Sequence, residues 1–190
     1  MSVWFTASYV ALWVLVIALC FVVIALARQI GTLHLRLGPR GALELDDEGP
    51  ELGSSATPID TEDMKGEAVS IGKARQLLLF VSPGCHVCEQ VLPSVGAVAQ
   101  AGKLAPVVVT DVDEEETALT FRNKRVNAPV VAGIGIAQSY QVPGTPYVVI
   151  TDPTGKIAAK GTVNNLEQIE GLVDSAERRA VGGLHDRQAS

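Results

Sequence analysis

Cys85 and Cys88 stand three residues apart in the stretch Ser82-Pro83-Gly84-Cys85-His86-Val87-Cys88. An apolar, strand-like run, Leu77 to Val81, leads into them, and Glu89 to Ala101 behind them has the character of a helix. Sulfurs at i and i+3 on the first turn of a helix lie close enough to bond to each other. The first of them sits at the helix N-terminus, where unpaired N–H groups and the helix dipole favour a thiolate. A thiolate is the attacking form of cysteine. Cys85 is therefore expected to attack, and Cys88, one turn deeper, to resolve.

Other uses of the pair fit less well. A structural zinc site wants four ligands. The remaining cysteine, Cys20, lies in an apolar segment, and His34 and His185 are far away in sequence. An inert disulfide would close so small a loop that it adds little chain-entropy stabilisation. Two inert buried thiols do not account for a C-x-x-C between a strand and a helix, a redox pattern in itself. The expected chemistry is dithiol–disulfide exchange, with no bound cofactor and no metal. His86 has two open readings: a charged imidazole that stabilises the Cys85 thiolate, or an exposed spacer.

These residues need elements to position them. Strands and helices alternate from Leu77 onward. Cys85–Ala101 is predicted as a helix, kinked at Pro93, which removes a hydrogen bond. Pro106–Thr110 is predicted as a buried strand and Glu114–Arg125 as a helix, with three acidic residues in its first turn as the dipole prefers. Pro129–Gly133 is a short extended piece, and Ala137–Tyr140 a single helical turn. Tyr147–Thr151 and Lys156–Thr162 form a hairpin about the turn Asp152–Gly155. Leu166–Ala180 closes the domain as an amphipathic helix with Leu166, Ile169, Leu172, Val173 and Ala176 on one face. Upstream, a hairpin is expected within Thr57–Ile71, around Met64-Lys65-Gly66. The pattern is a βαβ unit followed by an antiparallel hairpin and a helix, an α/β fold with a mixed sheet. Thr145-Pro146 enters an inner strand, which fits a cis bond in a tight turn, although an ordinary trans proline fits too.

The front of the chain is different in kind. The chain has 190 residues, net charge −6 and 47% apolar residues, enough for one modest domain and something more. Its acidic balance gives no footprint for nucleic acid. Met1 to Ala27 holds no charged side chain, and a span of about 6–27 would cross a bilayer core as one helix. Trp4 and Tyr9 stand where an interfacial aromatic belt would be. A cleaved signal peptide is the rival, and Ala25-Leu26-Ala27 resembles a cleavage site, but there is no basic n-region and the apolar run is long. The expected organisation is a membrane anchor at 1–27, a juxtamembrane linker at 28–52, a domain at 53–180 and a polar tail at 181–190. Arg28, Arg36 and Arg40 follow the span, and positive-inside reasoning alone would put the domain in the cytoplasm. A domain whose only two cysteines form a redox pair suits an oxidising compartment instead.

Taken together, Cys85-His86-Val87-Cys88 after a strand, Pro93 in the following helix and Thr145-Pro146 before Tyr147-Val148-Val149-Ile150 resemble the thioredoxin superfamily. The resemblance implies a thioredoxin-like fold, a mixed central sheet flanked by helices. It implies that Pro146 is cis and packs beside the cysteines. It also implies that Thr145 offers backbone hydrogen bonds to a bound substrate chain. Two departures stand out: Gly84 replaces the usual tryptophan, and His86-Val87 is neither of the familiar dipeptides, so the redox direction does not carry over.

A narrower resemblance runs along nearly the whole chain. Gln29–His34, Gly38–Leu43, Phe80–Pro83 and Ala159–Asn164 are together similar to the MauD family, accessory proteins of methylamine dehydrogenase maturation. It implies a membrane-anchored, extracytoplasmic thiol–disulfide oxidoreductase. The implied client is a cysteine-bearing protein, the small (beta) subunit of methylamine dehydrogenase, and turnover needs a redox partner in the membrane. Rival functions are a thiol reductase of the cytochrome c maturation type, a peroxidase that uses Ser82 beside Cys85, and an assembly or chaperone module that binds without exchange.

Overall fold

Six consecutive buried residues, Gln76–Val81, form the strand on which the domain is laid out. Such a run, buried on both faces, suits the middle of a sheet covered by helices. In the computed structural model, backbone is described for residues 3–36 and 48–188, and side chains for residues 4, 7–23 and 48–180. The chain divides into two units, residues 1–39 and 40–190.

The first unit holds one helix, α1 (Val3–Arg36). Its described side chains are exposed and largely apolar, Val10, Leu12, Leu15, Ile17, Leu19 and Phe21 among them. Tyr9 and Trp13 meet edge to face with ring centroids 6.4 Å apart. Among the described residues no helix is long and apolar enough to cross a membrane. The side chains described without a break in α1 run from 7 to 23, inside the expected 6–27 span. The helix itself continues past Arg28, where the linker was expected to begin. Of that linker, residues 37–47 lie outside the described residues.

The second unit runs β1 (Ile59–Glu62), β2 (Ala68–Ile71), β3 (Gln76–Val81), α2 (His86–Val91), a 3₁₀ turn (Leu92–Ser94), α3 (Val95–Ala101), β4 (Ala105–Thr110), α4 (Glu114–Phe121), β5 (Val130–Ala132), α5 (Ile134–Ser139), β6 (Tyr147–Thr151), β7 (Ile157–Thr162) and α6 (Leu166–Gln188). The β1–β2 hairpin is a separate antiparallel pair, and five strands form the main sheet in the order β5-β4-β3-β6-β7. β3 and β4 are parallel and in step, from Gln76 beside Ala105 to Val81 beside Thr110. β6 is antiparallel to β3, with Phe80 beside Tyr147, and β7 is antiparallel to β6. The thioredoxin-like α/β fold with a mixed sheet is therefore present.

Side chains alternate along a strand, so β3 feeds two cores. Leu77, Leu79 and Val81 pack with Val91, Val95, Ile169 and Leu172 from α2, α3 and α6. Leu78 and Phe80 pack on the other face with Ile71, Ile136, Tyr140 and Tyr147. Phe80 and Tyr140 stack at a tilt, 5.7 Å between centroids. Burial pushes the Tyr140 phenol up to about 12, and its hydroxyl donates to the Thr57 carbonyl at 3.0 Å.

Strand ends agree with expectation to within a residue, and the helices of this unit differ from it in four places. The helix after the cysteines is broken into α2 and α3 at Pro93, where a proline interrupts the ladder. α4 ends at Phe121 and not at Arg125: the Lys124 N–H closes back on the Phe121 carbonyl, and the Lys124 ammonium turns to Glu89. α5 spans Ile134–Ser139 rather than 137–140, beginning after Gly133 so that Ile136 is buried. α6 continues to Gln188, beyond the expected end at Ala180, and the side chains of 181–190 lie outside the described residues. One residue has an environment that its type does not suggest: Lys160 on β7 is only 1% exposed. Its ammonium donates to the Glu48 carbonyl at 2.7 Å, and the Tyr147 hydroxyl donates to the same oxygen at 3.1 Å.

Candidate active site

The site begins with a turn. Pro83 and Gly84 occupy the two central positions of Ser82–Cys85, and the Cys85 N–H donates to the Ser82 carbonyl at 3.4 Å. Proline first and a positive φ second define a type II turn, and Gly84 supplies φ +72. A side chain such as tryptophan would be strained there, which explains the glycine before the first cysteine.

The turn delivers Cys85 as the N-cap of α2, in extended backbone conformation with φ −76 and ψ 104. Its Sγ accepts a hydrogen bond from the Cys88 N–H at 3.1 Å. That amide is one of the donors a helix start leaves unpaired, and it is aimed at the sulfur that must carry negative charge when reduced. Cys85 and Cys88 form a disulfide, with Cα atoms 5.2 Å apart. Cys88 is 1% exposed, whereas Cys85 is half-buried. An external sulfur can reach Cys85 and not Cys88, which fits the expected division between attacking and resolving roles.

Thr145 and Pro146, sixty residues on, arrive at the same place. Their peptide bond is cis and Pro146 is buried. The Thr145 carbonyl lies 3.9 Å from Cys85 Sγ. The disulfide sulfur carries no hydrogen, so this is a contact and not a hydrogen bond. All four residues singled out in the sequence (Cys85, Cys88, Thr145 and Pro146) thus meet at one end of β3 and β6.

Two further residues belong to the site. Ser82 Oγ donates to Asp111 Oδ2 at 2.5 Å and lies 2.6 Å from Thr145 Oγ1. In the sequence Ser82 stands out as the first residue of a turn and, for the peroxidase rival, as a hydroxyl near Cys85, whereas Asp111 carries no signal of its own. Strand register was the missing signal: β3 and β4 end in step, so the residues that follow them, Ser82 and Asp111, become neighbours. On the outer side, an imidazole nitrogen of His86 meets the Gln90 amide at 3.1 Å. Lys124 holds the Glu89 carboxyl below its ordinary range through a 2.8 Å ion pair. Among the described residues no three His, Cys, Asp or Glu side chains gather to hold a metal. The two sulfurs are bonded to each other, and the chemistry this arrangement supports is thiol–disulfide exchange.

Comparison with known proteins agrees with this geometry. A thioredoxin-like domain model matches residues 62–177. The chain is 36% identical over 190 residues to the methylamine utilization protein MauD of Paracoccus versutus, covering 97% of this chain and 94% of that one. It is 35% identical to MauD of Methylorubrum extorquens, covering 89% of this chain and 85% of that one. Among solved structures, the thioredoxin domain of a thiol-disulfide oxidoreductase from Bacteroides vulgatus superposes with TM-score 0.54 at 25% identity, covering 67% of this chain and 96% of that one. StoA of Bacillus subtilis shares the fold at 18% identity, with TM-score 0.53 over 63% of this chain and 96% of that one.

Proposed function

The chain belongs to the thioredoxin-like family, within it to the MauD group, and is a thiol–disulfide oxidoreductase; we propose that it is anchored by its N-terminal helix and oxidises cysteines of a client outside the cytoplasm. The observation that carries this reading is the half-buried Cys85 bonded to the fully buried Cys88, beside the cis Thr145–Pro146 turn. The client proposed from the relatives' role in methylamine utilization is the small (beta) subunit of methylamine dehydrogenase.

In the oxidising direction a client thiolate attacks Cys85 Sγ, and the Cys85–Cys88 bond breaks. Cys88 leaves as a thiolate and the client is joined to Cys85. A second client thiolate then attacks the client sulfur of that mixed disulfide. Cys85 leaves as a thiolate, and two electrons have passed to the pair. A membrane redox partner takes those electrons and restores the disulfide. Thr145 and Pro146 hold the client strand against the sulfur while this happens. The anchor keeps enzyme and membrane partner on one surface, which raises their effective concentration. The span of about 6–27 serves as that anchor, with the domain on the extracytoplasmic side.

The test is made in cells that produce methylamine dehydrogenase. Cys85→Ser abolishes maturation of the small subunit, and so does Cys88→Ser, which leaves no Cys85–Cys88 bond for a client thiolate to open. A mixed disulfide between Cys85 and the subunit that accumulates in Cys88→Ser marks attack of the Cys85 thiolate on a client disulfide, the reducing direction. Full maturation with Cys85→Ser overturns the exchange reading and leaves a binding module. The potential of the pair gives the direction: about −120 mV marks a disulfide donor and about −270 mV a reductant. A reporter fused after Ser190 that is active only inside the cytoplasm overturns the extracytoplasmic placement.

A further inference from the structure

Ser82 has one hydroxyl hydrogen, and it goes to the Asp111 carboxylate. A carboxylate only accepts, so the Ser82 oxygen is left with lone pairs alone for its second neighbour. The Thr145 hydroxyl, 2.6 Å away, is therefore the donor in that contact. The chain runs one way, from Thr145 through Ser82 to Asp111. It ties together three loops that follow or precede different strands: Ser82 after β3, Asp111 after β4 and Thr145 before β6.

The place of this chain matters more than its length. Ser82 opens the turn whose last residue is Cys85, and its carbonyl accepts the Cys85 N–H. Thr145 is the residue whose carbonyl lies 3.9 Å from Cys85 Sγ. The Ser82 hydroxyl thus joins the loop that carries the reactive sulfur to the loop that faces it. Asp111 has its own register fixed, because its N–H donates to the Val81 carbonyl at 3.3 Å. The carboxylate is anchored to the end of β3 and sets the direction of both hydroxyls.

We propose that Asp111 and Ser82 are positioning residues for client binding: the carboxylate orients the Ser82 hydroxyl, which holds Thr145 so that its backbone receives the client strand beside Cys85. The ligand is an extended, cysteine-bearing polypeptide. The inference rests on the reading that Thr145 and Pro146 form the docking turn. Neither Asp111 nor Ser82 exchanges electrons or touches the client sulfur. Their loss loosens the docking turn and leaves the sulfur–sulfur chemistry in place.

The test uses the full chain and a defined probe, the reduction of insulin disulfides driven by dithiothreitol, read as KM and kcat separately. Ser82→Ala and Asp111→Ala each raise KM about tenfold, the scale of one or two lost hydrogen bonds, while kcat changes less than about twofold. Ser82→Thr keeps the hydroxyl and restores KM. Unchanged KM in both alanine variants overturns the proposal. So does a Ser82→Thr variant as impaired as Ser82→Ala with a lowered melting temperature, since that marks a packing role. Pro146→Ala separates the two levels. An unmoved KM in Pro146→Ala overturns the docking reading itself. A raised KM there beside normal KM in the Asp111 and Ser82 variants overturns the positioning role alone.

Discussion

Two turns of this domain start from the same recipe and end differently. Ser82-Pro83-Gly84-Cys85 and Asp152-Pro153-Thr154-Gly155 each open with a small polar residue followed by proline, and each contains a glycine at positive φ, +72 at Gly84 and +77 at Gly155. In the second turn the polar side chain stays at home. Asp152 Oδ1 accepts from the Thr154 N–H, the Thr154 hydroxyl and the Lys156 N–H, at 2.7, 2.7 and 3.0 Å. In the first turn the side chain leaves. Ser82 reaches across to Asp111 and Thr145, and its own turn keeps a single long bond of 3.4 Å. A turn that only reverses the chain uses its polar group to close itself. A turn that must hold a reactive sulfur against a distant loop directs that group outward.

Substitutions can break this comparison, the largest effect first. Gly155→Ala destabilises by about 3 kcal/mol in thermal or urea unfolding, because left-handed backbone strain adds to overpacking. A Cβ there would lie 2.5 Å from the Gly72 carbonyl oxygen. Asp152→Ala removes three local bonds and costs about 2 kcal/mol, with exchange activity intact. Gly84→Ala carries the φ strain without the clash, since nothing lies within 4 Å of a Cβ at that position. Its cost is about 1 kcal/mol. Equal losses at Gly84 and Gly155 would show that the two turns are packed alike.

The smallest effect is in pH dependence. Burial raises the Asp152 carboxyl, but the bonds from Lys156 and Thr154 prevail and hold it below its ordinary 3.8. The folded state therefore binds fewer protons there than the unfolded state as pH falls through this range. The stability contributed by Asp152 is present above pH 3.8 and is lost as pH falls through the lower folded value. Asp152→Asn keeps an accepting oxygen and removes the titration, so its melting temperature falls less steeply with acid. An unchanged acid slope would place the pH dependence elsewhere, for instance at Glu89 beside Lys124.

The two turns also mark what could be read from the chain. Both were legible as turns, since proline and glycine signal them locally. The strands were legible because Val107, Val108 and Val109 or Tyr147 to Ile150 form apolar runs, and the cysteines because their spacing is chemical in itself. What escaped depends on register between distant segments. Asp111 was passed over ahead of an acidic helix start, whose cap is Asp113, accepting from the Glu116 N–H at 2.9 Å. Nothing local distinguishes the two aspartates; only the in-step ends of β3 and β4 bring Asp111 to Ser82. Lys160 escaped for a similar reason. A lysine in a strand suggests a solvent face, and the carbonyl that accepts its proton belongs to Glu48, more than a hundred residues earlier.

The cysteines are three residues apart, whereas Cys85 and Thr145 are separated by sixty. That inequality has a consequence for an emerging chain. Local contacts close early in folding and distant ones late, because the loop entropy must be met first. The redox pair can form while β6 is still absent, but the turn that faces it takes shape only when β6 pairs with β3. A partly folded copy is thus able to carry a disulfide before it is able to hold a polypeptide next to it. Until β6 pairs with β3, the newborn enzyme carries its redox pair without the surface that selects a client for it.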